Sequence, residues 1–212
     1  MKQDLALRTW KIYKFDCSLR AVSGGHLCGV DEAGRGPIAG PVVAAAVIFG
    51  DDVYIEGIFD SKKLSSKKRR ELFEQIKFNA LAFGVGTASH NEIDSMNILA
   101  ATKLAMDRAI AKLKIKPVKI IADGNFYSSL TAPVENIIRG DEKSFSIAAA
   151  SILAKVSRDE MMIEMQNKYP HFSFEHHKGY CTKAHIDELL EHGYSDIHRR
   201  SFRPKAIQLE LV

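Results

Sequence analysis

Four carboxylates carry the chemistry that can be read from this sequence. Asp31 and Glu32 close the apolar run HLCGVDE, Asp123 closes VKIIAD, and Asp141 follows VENIIRGD. If each run is a β-strand, three strand ends bring acids into one crevice, the usual place for a ligand in a sheet covered by helices. Carboxylates gathered in water-poor surroundings repel one another, and a hard divalent cation with oxygen ligands removes the conflict. The group therefore reads as a site for Mg2+ or Mn2+, and a pair of such ions is the standard means of in-line phosphodiester cleavage. Any one of these acids alone is well explained as a solvated loop residue. That explanation weakens when Asp-Glu, Asp-Gly and Gly-Asp stand at three separate strand ends. Neighbours on a strand point to opposite faces, so for Asp31 and Glu32 to share ions the chain needs a bulge, a turn beginning at Glu32, or ligation through a backbone carbonyl.

The segment GRGPIAG at 34–40 offers glycine backbone for close approach to a ligand, and Arg35 is a bidentate partner for a phosphate. An ordinary tight turn explains its composition equally well. It is no dinucleotide fingerprint, since prolines interrupt it and the β-rich VVAAAVIF follows where a helix is needed. It also lacks the Lys-Ser/Thr ending of a P-loop. Basic residues cluster at 60–70, 178–183 and 198–203, with Tyr180 and Phe202 among them, and favour nucleic acid over other anions. His177, Cys181 and His185 have the spacing of zinc ligands, but Gly179 and a helix cap at Thr182 keep one helix from holding all three.

The elements that must position these residues follow from punctuation and periodicity. Residues 1–25 read as irregular and end at the Ser23-Gly24-Gly25 turn. Strands are expected at 26–31, 42–49, 81–87, 118–122 and 134–138. Ser65 caps a basic helix running to about residue 78. Asn97 opens a second helix over 98–114, stopped by Pro117. A long helix runs from about Ser144 to the Tyr169-Pro170 break, with Ser144, Ser151, Lys155 and Arg158 as a polar stripe that either supports the site or is simply solvated. Thr182 caps a last helix, ended by Gly193. Strands that first form a meander and then alternate with helices predict a mixed β-sheet flanked by helices, α/β or α+β in class, with a helical C-terminal third beside it.

The bulk composition agrees. The chain has 212 residues, 46% hydrophobic and 26% charged, with a formal charge of +4. One substantial core is expected, and disorder is not. Three cysteines without a CxxC pair point to reduced thiols and an intracellular, cytoplasmic protein. The N-terminal stretch is too polar for a signal peptide, and no apolar run is long enough to span a membrane. A monomer is the default expectation.

The same residues resemble a known family, ribonuclease HII. The resemblance is carried in order by DEAGRGP at 31–37, DSKKLS at 60–65, DGN at 123–125, GDEKSFSIAAASILAKVSRD at 140–159, HKGYCTKAH at 177–185 and HRRSF at 198–202. It implies a ribonuclease H-like α/β fold with a helical C-terminal extension. Residues 26–203 would be the catalytic domain, 1–25 an N-terminal extension and 204–212 a tail. It assigns Asp31, Glu32, Asp123 and Asp141 as catalytic, metal-binding carboxylates for two Mg2+ or Mn2+ ions. The backbone of Gly34-Arg35-Gly36 would recognise the ribose 2′-hydroxyl, the group that distinguishes RNA from DNA. Tyr180 would lie against the nucleotide at the RNA-to-DNA junction. Lys62, Lys63, Lys143 and Ser144 would contact the nucleic-acid backbone or position phosphates. The implied substrates are RNA–DNA hybrids and duplex DNA containing ribonucleotides, with a role in ribonucleotide and primer removal. The related ribonuclease HIII, which adds an N-terminal substrate-binding domain and usually has a glutamate as fourth acid, matches less well.

Two other readings use the same residues. A metal-independent ribonuclease would employ His177, His185 and His198 as acid and base, with the 2′-hydroxyl as nucleophile. A hybrid-binding module without turnover would leave the acids idle. The tail QLELV at 208–212 is similar to short peptides that bind bacterial sliding clamps, although a terminal segment packed on the domain explains it more simply.

Overall fold

The computed structural model describes residues 2–202. In chain order the elements are α1 (Lys2–Ser23), β1 (Leu27–Ala33), β2 (Val42–Phe49), α2 (Ser66–Asn79), β3 (Ala80–Ala88), α3 (His90–Met96), α4 (Ile98–Ala111), β4 (Lys119–Asp123), β5 (Val134–Ile137), α5 (Phe145–Lys168), α6 (Phe174–His177) and α7 (Lys183–His192). The strands form one sheet in the order β3-β2-β1-β4-β5. β1, β2 and β3 pair antiparallel as a meander, and β4 and β5 join parallel to β1. That is the mixed sheet flanked by helices expected from the pattern of runs.

Burial on both faces explains the strand sequences. VVAAAVIF of β2 is buried at every position, because α5 covers one face of the sheet and α4 the other. Ala45, Val47 and Phe49 join the α5 core with Ala148, Ala149 and Ala150, while Ala44, Ala46 and Ile48 join the α4 core with Ala105 and Ala109. Small residues let helix and sheet approach closely. A Cβ on Gly29 would sit 2.2 Å from the Ser146 carbonyl carbon, and one on Gly86 would sit 2.1 Å from the Ala105 oxygen. A third cluster joins Ile38 and Ala39 to Met162, Phe172, Phe174, Leu189 and Ile197, which seats the C-terminal helices beside the sheet.

Residues 2–23 depart from expectation: they form a helix, not an irregular lead-in. Its buried face reads Thr9, Ile12, Tyr13, Asp16, Arg20, a helical spacing with three polar members. Those polar groups are buried against specific partners, so the stripe lacks the apolar periodicity that announces a helix. Gly24, at φ +68°, ends it with a hydrogen bond from its N–H to the Arg20 carbonyl. β1 also runs farther than expected. It continues through Asp31 and Glu32 to Ala33, in regular register with β2.

Candidate active site

The acids gather at one end of the sheet because β1 and β4 are parallel neighbours, paired up to Val30 and Ala122. Asp31 and Asp123 are the next residue on each strand. Asp141 sits in a 3-10 turn, Gly140–Glu142, between β5 and α5, and that turn is tied to β4 by the Gly140 N–H donating to Asp123 Oδ1 at 2.6 Å. Three elements thus deliver carboxylates to one place.

No bulge or turn separates the Asp-Glu pair. Asp31 pairs with Ala45 and Glu32 with Ala44, so their side chains leave from opposite faces. Asp31, 4% exposed, lies on the α5 side, within hydrogen-bonding reach of Ser151. Its Oδ1 also accepts from the Glu32 N–H at 2.7 Å. Glu32 sends Oε1 toward Arg35 (3.3 Å), while its Oε2 is buried with no hydrogen-bond partner.

The electrostatics show that the acids sense one another. Burial, with Glu32 and Asp123 nearby, pushes the Asp31 carboxyl well above the usual carboxylate range. Burial also raises Glu32, opposed by Arg35, with Asp123 adding to the rise. Asp141 is raised by burial, opposed by Lys62. Lys62 is the counterweight, its Nζ 3.6 Å from Asp141 Oδ2. Desolvation disfavours its charge, but Asp141, Asp31, Asp60 and Asp123 together outweigh that and raise its pKa. Among the described residues, no three His, Cys, Asp or Glu side chains are arranged to hold a metal ion as they stand. The chemistry of the donors nevertheless fits one. All are carboxylate oxygens, three of the acids are raised in part by neighbouring acids, and one buried oxygen lacks a donor.

The glycine-rich turn follows β1 directly. Gly34 adopts φ +95°, and a Cβ there would lie 2.0 Å from Arg158 Nε. Behind the turn stand two guanidinium groups, Arg158 and Arg199, each 0% exposed. Arg199 donates to the carbonyls of Gly34 (2.6 Å), Arg35 (3.0 Å) and Gly40 (2.9 Å). Arg158 donates to those of Pro41 (3.0 Å), Ala39 (3.1 Å) and Lys178 (2.9 Å). Burial, and for Arg199 the charge of Arg158, lowers both pKa values. Arg35 itself faces outward, its guanidinium 4.9 Å from the centre of the Phe126 ring.

Tyr180 is 41% exposed beside the turn, with Lys155 and Arg158 at its ring. Its loop is joined to the turn by the Ile38 N–H donating to Gly179 O (2.8 Å) and is braced by His185, whose Nδ1 lies 2.9 Å from Tyr180 O. Lys63 reaches Asp60 (3.2 Å) and Glu142 (3.6 Å). Lys143 is exposed. Ser144 is fully buried, and its Oγ accepts from the Ile147 N–H as the cap of α5. The polar stripe of α5 faces inward: Ser144, Ser151 and Arg158 are buried, and Lys155 bonds Asp159.

His177, His185 and His198 are buried and engaged with one another. The rings of His177 and His185 stack at 4.0 Å, His185 Nε2 lies 3.0 Å from His198 Nε2, and His177 Nε2 lies 3.0 Å from Glu188. Burial lowers all three pKa values, to about 4 for His185 and about 3 for His198. Such groups brace the Tyr180 loop and are poorly placed to exchange protons with a substrate. Arg199 is hidden from sequence reasoning, because the run HRRSF reads as an exposed phosphate-binding cluster. The positive-φ glycines at 34 and 40 are the nearest signal that something large fills the space behind the turn.

A mixed sheet in this order, with acids at the ends of its central strands, defines a nuclease of the ribonuclease H type. The family model "Ribonuclease HII" matches residues 28–205. Ribonuclease HII of Dechloromonas aromatica (strain RCB) is 54% identical over 188 residues, covering 89% of this chain and 96% of that one. The crystal structure of ribonuclease H2 from Pyrococcus horikoshii OT3 superposes with a TM-score of 0.71 at 29% identity, over 88% of this chain and 98% of that one. Ribonuclease HII of Archaeoglobus fulgidus, solved in complex with PCNA, gives 0.69 at 26% identity, over 85% and 96%. The chain belongs to the ribonuclease HII family. It is a metal-dependent endonuclease of the ribonuclease H class, a phosphodiester hydrolase.

Proposed function

We propose that the protein hydrolyses the RNA strand of RNA–DNA hybrids and cuts on the 5′ side of single ribonucleotides embedded in duplex DNA, leaving 3′-hydroxyl and 5′-phosphate ends. The observation that carries this reading is the gathering of Asp31, Asp123 and Asp141, from three elements, with Glu32 on the opposite face of the same strand end, beside a turn whose backbone is fixed by two buried arginines. Asp31 and Asp123 would be the central ligands for two Mg2+ or Mn2+ ions, with Asp141 completing the shells through its side chain and Glu32, which leaves from the other face of the strand, through its backbone carbonyl. Bound there, the ions supply a lowered pKa for the attacking water and charge neutralisation at the departing 3′-oxygen. The protein's own groups do the rest. The backbone of Gly34, Arg35 and Gly36 addresses the 2′-hydroxyl, and Tyr180 packs against the nucleotide at the RNA-to-DNA junction. Lys62, Lys63 and Lys143 attract the phosphates, while Ser144 holds the first turn of α5.

The cellular roles that fit are removal of misincorporated ribonucleotides and of RNA primers, in the cytoplasm, by a monomer. The archaeal relative solved with PCNA supports a clamp interaction, for which the tail at 208–212 is the proposed element; it lies outside the described residues. If deleting residues 208–212 leaves sliding-clamp pull-down unchanged, that interaction is not made by the tail. The central test is incubation with a labelled duplex containing one ribonucleotide, in Mg2+, Mn2+ or EDTA. Metal-dependent cutting 5′ to the ribonucleotide, lost in Asp31→Asn, is the expected result. No cutting by the folded protein with either metal, or cutting that persists in EDTA, would refute the reading.

A further inference from the structure

Residues 2–23 precede the stretch matched by the family model, which begins at residue 28, yet α1 contacts the start of α5, the helix that follows the Asp141 turn. The contact is made by Asp16, fully buried, whose Oδ2 accepts from the Ser146 N–H at 2.7 Å across 130 positions of sequence. Ser146 lies in the first turn of α5, where backbone N–H groups lack intrahelical acceptors and the positive end of the helix dipole favours a carboxylate. Burial raises the Asp16 carboxyl, and Ser146 and Ser144 beside it oppose that rise; its Oδ1 is buried without a hydrogen-bond partner. Ser144 accepts from the next N–H, that of Ile147, so Asp16 and Ser144 between them hold the first turn of α5.

From this contact a hydrogen-bonded path leads into the site. The N–H groups of Lys143 and Ser144 both donate to Gly140 O, at 2.9 and 2.8 Å. The Gly140 N–H donates to Asp123 Oδ1 at 2.6 Å, and Asp141 is the next residue. Gly140 is wedged in place: a Cβ there would lie 2.6 Å from Ile147 Cδ1 on α5 and 3.3 Å from Asp123 Oδ1. A small rotation of the α5 N-terminus therefore moves the Asp141 turn and the Asp123 carboxylate together.

We propose that Asp16 is a positioning residue for Asp123 and Asp141, which makes α1 part of the scaffold of the active site; this rests on the assignment of those two acids under Proposed function. The test compares Asp16→Ala, Asp16→Asn and Thr9→Val in the full chain. Thr9→Val removes a different anchor of α1, the Thr9 Oγ1 that accepts from the Gly57 N–H at 3.3 Å, and serves as the control for stability alone. Two quantities are read: kcat and KM on a duplex with one ribonucleotide, and the Mn2+ concentration giving half of the metal-induced rise in Tm, which needs no turnover.

Asp16→Ala is expected to lower kcat by roughly 10- to 100-fold, as a small misplacement of reacting groups does, with KM changing less than about twofold. Its Mn2+ midpoint should rise by a similar factor. Asp16→Asn, whose neutral oxygen makes a weaker hydrogen bond, should fall between it and wild type. Thr9→Val should lower Tm while leaving kcat and the Mn2+ midpoint at wild-type values. Folded Asp16→Ala with wild-type kcat and Mn2+ midpoint would overturn the proposal. Should that variant not fold, Asp16→Asn indistinguishable from wild type in both readouts would do the same. Absence of cutting by the wild type would instead remove the functional reading, and the Mn2+ titration would still report on Asp16.

Discussion

Replacing Arg199 by methionine, which keeps much of the side-chain length and removes the charge, should be among the most damaging single changes outside the acids. Arg199 is 0% exposed and supplies donors to three backbone carbonyls, those of Gly34, Arg35 and Gly40. Each buried acceptor left without a donor costs about 1–3 kcal/mol, so the gross penalty is about 3–9 kcal/mol. Removing a desolvated cation recovers part of that, and relaxation or an entering water recovers more, which leaves a net loss of about 3–5 kcal/mol, typical of disrupting a buried charged group. For a chain of this size, where 1 kcal/mol shifts Tm by roughly 2–4 °C, Tm should fall by about 6–20 °C. Arg199→Lys should recover little, because a compact ammonium cannot reproduce a planar fork aimed at three carbonyls. The assay is thermal unfolding together with cleavage, below the variant's Tm, of duplexes with one and with four consecutive ribonucleotides. If the turn reads the ribose, the folded variant should lose kcat/KM on both. A variant with Tm within about 2 °C of wild type and unchanged cleavage would show that these hydrogen bonds do not hold the turn.

Three further outcomes follow from the same geometry. Asp141→Asn should abolish metal-dependent cutting while leaving the fold intact, and since the Asp141 carboxyl is pushed up by burial, thermal unfolding should show the variant no less stable than wild type near neutral pH; a clear destabilisation would refute that account. Gly34→Ala must fit a Cβ against Arg158 Nε at a backbone angle that favours glycine, so a loss of about 2 kcal/mol or more and of cleavage is expected, measured by denaturant unfolding and single-turnover rates. Acid should unfold the protein through its buried histidines. With folded pKa values of about 4 and about 3 against an unfolded value of 6.5, the unfolded chain binds more protons between these limits, so stability falls as pH drops from about 6.5 toward 4. At about pH 5 the effect is roughly 2 kcal/mol for each of His185 and His198; His198→Gln should flatten Tm against pH over this range, and an unchanged slope would count against the assignment.

What the sequence discloses and what it hides divide along a physical line. Strand ends are marked by a change from apolar to acidic residues, so Asp31, Asp123 and Asp141 stand out as a group in the amino-acid sequence itself. The caps at Ser65 and Thr182 are equally legible, because a hydroxyl that accepts from a first-turn N–H is a local arrangement. α1 is not legible, for the buried side of a helix need not be apolar when its polar members, such as Thr9 and Asp16, meet partners 48 and 130 positions away. The inward turn of Arg199 is hidden for the same reason: its acceptors lie some 160 positions earlier, on backbone carbonyls that leave no trace in side-chain composition.

The two halves of the site are mechanically one piece. Asp31 and Gly34 are three residues apart on the same strand end, so no more than about 10 Å of chain separates a candidate metal ligand from the turn proposed to read the ribose. On the acid side the chain is fixed by pairing with β2 and β4 and by the Asp31 Oδ1 contact with Glu32 N–H. On the turn side it is fixed by the Arg199 and Arg158 hydrogen bonds to carbonyls between residues 34 and 41. The Arg35–Glu32 ion pair, 3.3 Å long, spans the junction. If the turn reads the ribose as proposed, then with both ends held the distance from the recognised 2′-hydroxyl to the adjoining phosphate is set by the protein and not by the substrate. A nuclease built this way selects the bond it cuts by the position of a ribose, which is why loosening the turn should reduce the rate and not merely relax the preference.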